Sequence, residues 1–168
     1  ASDNPLELVR NEMTRLEAKF ATHTPGSVIE RLNRAAGTGD YTPLDAESRS
    51  LFSYVTVLWE QSNHLYDPST AVLLPGYNQP PDSWETTDQL NAQLQLVGWS
   101  HLQISSQGAR LTRRGMHIDL DNCIRPYAID SVRKLLLKQG VANALIEMDQ
   151  DTASIGRQPD GANCLVGV

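Results

Sequence analysis

Leu6, Val9, Met13, Leu16 and Phe20 recur at spacings of three and four, the period of one face of an α-helix. Asn4 offers an N-cap oxygen ahead of them. Pro5 stands at the first helical position, where a missing N–H costs nothing. The pattern predicts one helix with all five apolar side chains on a single buried face, ended by Thr24-Pro25-Gly26. Ser27 and Glu30 have the spacing of a capping box. They open a short second helix through Leu32 and Asn33 to about Ala36, before the loop Gly37-Thr38-Gly39-Asp40. Leu44, Ser48, Leu51, Val55 and Leu58 predict a third helix, its apolar face widened by Phe52 and Trp59. Pro75-Gly76, Pro80-Pro81 and Asp82-Ser83 mark a loop or linker over about residues 71–86. Asp88 then starts a helix carrying Leu90, Leu94 and Val97, closed by Gly98.

Beyond Gly98 the period changes to two. Trp99–Ser105, Ala109–Arg113 and Met116–Leu120 read as short strands, with turns at Gly108 and Gly115. A helix is expected from about Pro126 to Gln139, with Tyr127, Val132, Leu135 and Leu136 apolar and Gly140 just past its end. Three more strand-like runs follow: Asn143–Met148, Thr152–Gly156 and Ala162–Val168. Helices first, then a mixed or antiparallel sheet with one further helix, define an α+β class in a single domain over residues 1–168. The apolar run Asn163–Val168 needs partners for its ladder groups, and a second polypeptide pairing with it is the expected cover.

Composition narrows the function classes. Fourteen Lys and Arg against twenty Asp and Glu give a net charge of −6, which disfavours a nucleic-acid or anionic-membrane ligand. No apolar run approaches the roughly 20 residues of a membrane span. Two cysteines, Cys123 and Cys164, cannot staple a small scaffold or build a four-thiolate zinc site, and two free thiols are expected. The start Ala1-Ser2-Asp3-Asn4-Pro5 resembles a mature end left by signal-peptide removal, which implies an exported, periplasmic setting. A segment cut from a longer chain gives the same start.

The most unusual stretch is His117-Ile118-Asp119-Leu120-Asp121-Asn122-Cys123. In an extended strand His117, Asp119, Asp121 and Cys123 share one side. The first reading is the wet face of an amphipathic strand entering a turn at Asp121-Asn122. The second is a divalent-metal set of His117, Asp119 and Asp121. His23, His64 and His101 are isolated in the sequence, and no serine lies in a nucleophile-elbow context. No phosphate-cradling glycine loop of the dinucleotide or P-loop type occurs.

Taken in order, several segments resemble the N-terminal half of the FAD:protein FMN transferases, the ApbE-like family. Ser27-Val28-Ile29-Glu30-Arg31-Leu32-Asn33 is similar to the family's early Ser…Asn segment. His64-Leu65-Tyr66-Asp67-Pro68-Ser69 is similar to its Gly-x-Phe-Asp-Pro-Thr turn, and Leu96-Val97-Gly98-Trp99 to the helix–strand step that follows. Residues 119–130 resemble the central signature Asp-Leu-Gly-Gly-Ile-Ala-Lys-Gly-Tyr-Ala-x-Asp. Gly140 to Gln150, then Gly156 and Pro159-Asp160-Gly161, resemble the last segments. The resemblance runs over roughly residues 8–168. It implies binding of FAD and a magnesium ion, and transfer of FMN to a threonine or serine of a target protein, with the metal neutralising charge on the diphosphate. It also implies Asn33, Tyr66, Asp67, Asp119, Tyr127 and Asp130 as cofactor-binding positions.

The departures fall on glycines. The family's central Gly-Gly is Asp121-Asn122 here, its Lys-Gly is Arg125-Pro126, its later Gly-Gly is Asp149-Gln150, and the glycine of its Asp-Pro turn is His64. Glycine lets a backbone approach a ligand closely, so these side chains fill that space, and two of them add negative charge. Three readings follow. The first is a degenerate, non-catalytic member acting as a subunit or accessory of an exported redox system. The second is an active magnesium-dependent transferase completed by a second chain or by a C-terminal half. The third is a small metal-binding protein using His117, Asp119 and Asp121.

Overall fold

A computed structural model describes residues 4–74, 87–158 and 160–163. These form two compact units, one from Lys19 to Leu120 and one joining residues up to Ala18 with those from Asp121 onward. All but the first residue of the expected run Asn163–Val168, Cys164 included, and most of the loop expected over 71–86 lie outside the described residues.

In the Lys19–Leu120 unit, α2 is Val28–Arg34 and α3 is Ala46–Gln61. Half of the capping box forms at α2: Ser27 Oγ accepts from the Glu30 N–H at 3.0 Å, while Glu30 Oε2 accepts from the N–H of Gly26, one residue before the cap, at 3.2 Å. Asp45 caps α3 in the same way, accepting from the Ser48 N–H at 2.8 Å. A 3₁₀ segment, Pro68–Leu73, and α4, Thr87–Leu94, follow. Next comes the hairpin of β1, Leu102–Ser105, and β2, Gly108–Leu111, paired antiparallel with Leu102 opposite Leu111 and Ser105 opposite Gly108. Thr42 bridges to Ala109 on the other edge of β2. Gly108 is required there. Its φ is +138°, and a Cβ would stand 2.0 Å from the Thr42 carbonyl oxygen. Phe20, Ile29, Leu32, Leu51, Phe52, Val55, Leu111, Ile118 and Leu120 form the buried core.

In the other unit, α1 residues from Pro5 onward, α5, Asp121–Lys138, and the antiparallel hairpin of β3, Ala144–Met148, and β4, Asp151–Ile155, enclose a smaller core. Val132, Leu136 and Ile155 lie at its centre, with Val9, Met13, Val141, Ala144 and Ile146 packed around them. Gly140, at φ +77°, ends α5. The Val141 N–H bonds back to the Leu136 carbonyl at 3.1 Å, the long-range bond of a Schellman cap.

The α+β class holds, with two separate two-stranded antiparallel ladders among the described residues. Several expectations are corrected. Leu6 is 74 % exposed, so the α1 stripe is buried only from its middle onward. The first strand after Gly98 is shorter than expected, because Trp99–His101 forms a 3₁₀ turn. Met116–Leu120 alternates buried and half-buried residues as a strand would, yet it joins no ladder. Its backbone bonds go elsewhere: Ile118 to the Asn33 side chain, and the Asp119 N–H to the Pro68 carbonyl at 3.1 Å. The turn expected at Asp121-Asn122 is the first turn of α5, which begins five residues before Pro126. An acidic residue at a helix N-terminus is favoured by the dipole, and that gain accompanies a proline that forfeits one intrahelical bond.

Candidate functional site

The Asp67 carboxylate accepts four hydrogen bonds. The residue is 9 % exposed. Oδ1 accepts from the Ser69 N–H at 2.9 Å and the Ser69 hydroxyl at 2.5 Å. Oδ2 accepts from the Trp59 indole N–H at 3.1 Å and the Trp99 N–H at 2.8 Å. Ser69 Oγ in turn accepts from the Gly98 N–H at 2.6 Å. The Asp-Pro turn is thereby tied to the end of α3 and to the start of the β1 region. Asn33 works in the same manner, donating to the Ile118 carbonyl at 2.9 Å and accepting from the Ile118 N–H at 2.8 Å. That pair imitates one rung of a ladder and holds the segment 116–120 extended.

His117 and Asp119 alternate with the buried Met116, Ile118 and Leu120, and both line a cavity of about 680 Å³. His23, Leu96 and Gln93 line it too. Asp119 Oδ1 accepts from the Thr22 hydroxyl at 3.1 Å. The pKa of His117 is lowered. Burial is the main cause, the nearby Asp119 charge opposes it, and His23 adds to it. His23 and Thr22 were not singled out from sequence. Thr22 and Asp119 are 97 residues apart, and no local pattern announces such a meeting. Tyr66 is half-buried, and its N–H donates to Ser62 Oγ at 2.9 Å.

The other unit carries Asp121 in the first turn of α5, Tyr127 half-buried and Asp130 exposed on the same helix. Arg125, one turn into α5, forms an ion pair at 2.8 Å with Asp149 in the β3–β4 turn. Among the described residues no group of three His, Cys, Asp or Glu side chains is placed to hold a metal ion. Cys123 is buried.

Two of the positions that hold glycine in the family pattern keep a glycine-like backbone. His64 has φ +67° and Asp149 φ +54°, the left-handed region that costs a non-glycine residue free energy. The His64 ring lies parallel to the Trp59 indole, with centroids 3.7 Å apart and planes at 12°.

The chain is thus a helical and small-sheet α+β scaffold with an Asp-Pro turn locked into its core. The ApbE family model matches residues 4–168, and the chain belongs to that family. An FAD:protein FMN transferase of Chlamydia pneumoniae is 24 % identical over 157 residues, covering 88 % of this chain and 48 % of its own length. The flavin transferase ApbE of Vibrio cholerae superposes with a TM-score of 0.86 at 18 % identity, over 94 % of this chain and 52 % of that structure. The apo flavinyl transferase ApbE of Pseudomonas stutzeri superposes with a TM-score of 0.82 at 23 % identity, over 94 % and 51 %. An ApbE protein of Thermotoga maritima gives 0.79 at 20 % identity, over 92 % and 51 %. This chain thus spans about half the length of the curated relative and of these structures.

Proposed function

We propose that this chain carries the flavin-transferase scaffold without a working diphosphate site, and serves as a non-catalytic subunit or accessory of a redox system. One observation carries the reading: the 2.8 Å ion pair between Arg125 and Asp149. Arg125 stands where the family pattern has its lysine, and Asp149 where it has a glycine. A diphosphate needs cationic charge and bare backbone at such a place. Here the cation is paired with a carboxylate, and the left-handed backbone at Asp149 carries a side chain. Pro126 removes one more backbone donor from the same helix. On this reading the pair withholds from FAD and magnesium the free cation and bare backbone that they would need.

Calorimetric titration with FAD and magnesium tests the proposal, together with flavin fluorescence of a threonine-bearing acceptor peptide after incubation. The expected result is binding weaker than micromolar and no covalent flavin. Asp149→Gly frees Arg125 and should tighten FAD binding by about tenfold, the effect of one lost charge–charge contact. Micromolar binding with FMN transfer by the unaltered protein would overturn the proposal in favour of an active enzyme.

A further inference from the structure

Two buried polar atoms among the described residues have no hydrogen-bond partner, Arg31 Nε and Ser48 Oγ. Both residues line one cavity of about 320 Å³, together with Lys19, Gly26, Pro43 and Asp45. Ser48 is fully buried. Buried donors without an acceptor are costly, and two of them on one cavity call for a common acceptor.

The charges around the cavity say what kind. Lys19 and Asp45 bond each other at 2.6 Å, and Lys19 also holds Glu47 at 2.5 Å. The two carboxylates are therefore answered from within. Arg34, beside Arg31 on a neighbouring cavity that Asp40 also lines, is paired with Glu30 at 3.2 Å. None of the ion pairs among the described residues involves Arg31, which leaves its guanidinium uncompensated on the cavity that Ser48 also lines. The Nε–H and one Nη–H of arginine form a planar fork that matches two oxygens of an oxyanion. The Ser48 hydroxyl also helps hold the Asp45 carboxyl below its ordinary range; turned about its C–O bond, it supplies a third donor, and a tetrahedral anion has a third oxygen for it.

We propose that Arg31 and Ser48 form a phosphate site between α2 and the start of α3, taking either the free ion or a phosphomonoester. The site shares no residue with the Asp67–Asn33 network or with the Arg125–Asp149 pair, so it stands or falls independently of the function proposed above.

The test is an NMR titration with inorganic phosphate, following the arginine Nε–Hε signals at constant ionic strength against chloride. The expected result is a saturable shift of the Arg31 signal with a dissociation constant of about 1 mM or tighter. Arg31→Lys keeps the charge, loses the fork, and should weaken binding about tenfold or more. Ser48→Ala should weaken it about threefold or more. Arg133→Gln, on α5, should leave it unchanged. A second arm with O-phosphoserine identifies the source: tighter binding than phosphate assigns a phosphomonoester, and equal or weaker binding assigns the free ion. If the Arg31 signal moves no more with phosphate than with chloride, the cavity holds only water and the proposal is wrong. An Arg31→Lys variant that binds as well as the unaltered protein overturns it too. Should that variant not fold, the titration of the unaltered protein and of Ser48→Ala still decides.

Discussion

Replacing Asp67 with alanine strands four donors at once: the Ser69 N–H and hydroxyl, the Trp59 indole and the Trp99 N–H. A buried donor left unsatisfied costs about 1–3 kcal/mol, and some of these will rotate or find water. We expect Asp67→Ala to lower stability by about 3 kcal/mol or more in urea unfolding, and Asp67→Asn by less because it keeps one acceptor. A loss below about 1 kcal/mol would mean that the carboxylate is not the hub its geometry describes. His117 makes a prediction about pH. Its folded pKa lies below the ordinary value of 6.5 because of burial, against the pull of Asp119. The unfolded chain therefore binds the proton more readily. Stability is full above the ordinary value and falls as pH drops through it toward the folded value. His117→Gln cannot take up the proton and should flatten the part of the stability–pH curve between about pH 7 and pH 5. A curve that keeps its slope in this variant would assign the dependence to another group. The sequence flagged Asp67, Asn33 and His117 as residues of note; the structure gives Asp67 its partners in Trp59, Ser69 and Trp99, and gives Asn33 a partner in Ile118, 85 residues along the chain.

At the scale of elements, the caps were the most legible feature. Ser27 with Glu30, Asn4 before Pro5, and Gly140 after α5 all act where the sequence places them, because capping depends on residues within one turn of each other. The α1 stripe was legible in period but not in depth. Met13 and Val9 lie against the Val132–Leu136–Ile155 core while Leu6 is exposed, since a helix shows its apolar face in sequence but not how far its neighbours extend. Met13→Ala should therefore cost about 1–2 kcal/mol, less than the 2–5 of a fully buried site. Leu6→Ser should stay within about 0.5 kcal/mol. Equal thermal-melt shifts for the two would show that the whole stripe is buried alike. The start of α5 was misplaced because proline usually marks a first helical position, whereas here Asp121 opens the helix and Pro126 lies inside it. Met116–Leu120 has the alternation of a strand, but its backbone partners are a side chain and a loop carbonyl, which no periodicity reports.

Over the whole molecule, the net charge of −6 gives a prediction of its own. Electrostatic attraction supplies nearly all non-specific nucleic-acid affinity, so duplex DNA should not be retarded in a gel even at low salt. A salt-dependent shift would reveal a basic patch that the net charge hides. No helix among the described residues is long and apolar enough to cross a membrane. The sequence by itself determined that the main helices exist, the caps at Asn4, Ser27 and Gly140, the α+β class and the family, because each rests on neighbours along the chain or on an ordered series of short segments. Only the tertiary structure decided which polar groups meet. Asn33 reaches Ile118 across 85 residues, Thr22 reaches Asp119 across 97, and Arg31 and Ser48 come to share one cavity. Such contacts depend on how elements pack, and packing draws on burial and shape summed over the fold, for which a one-dimensional pattern has no signal.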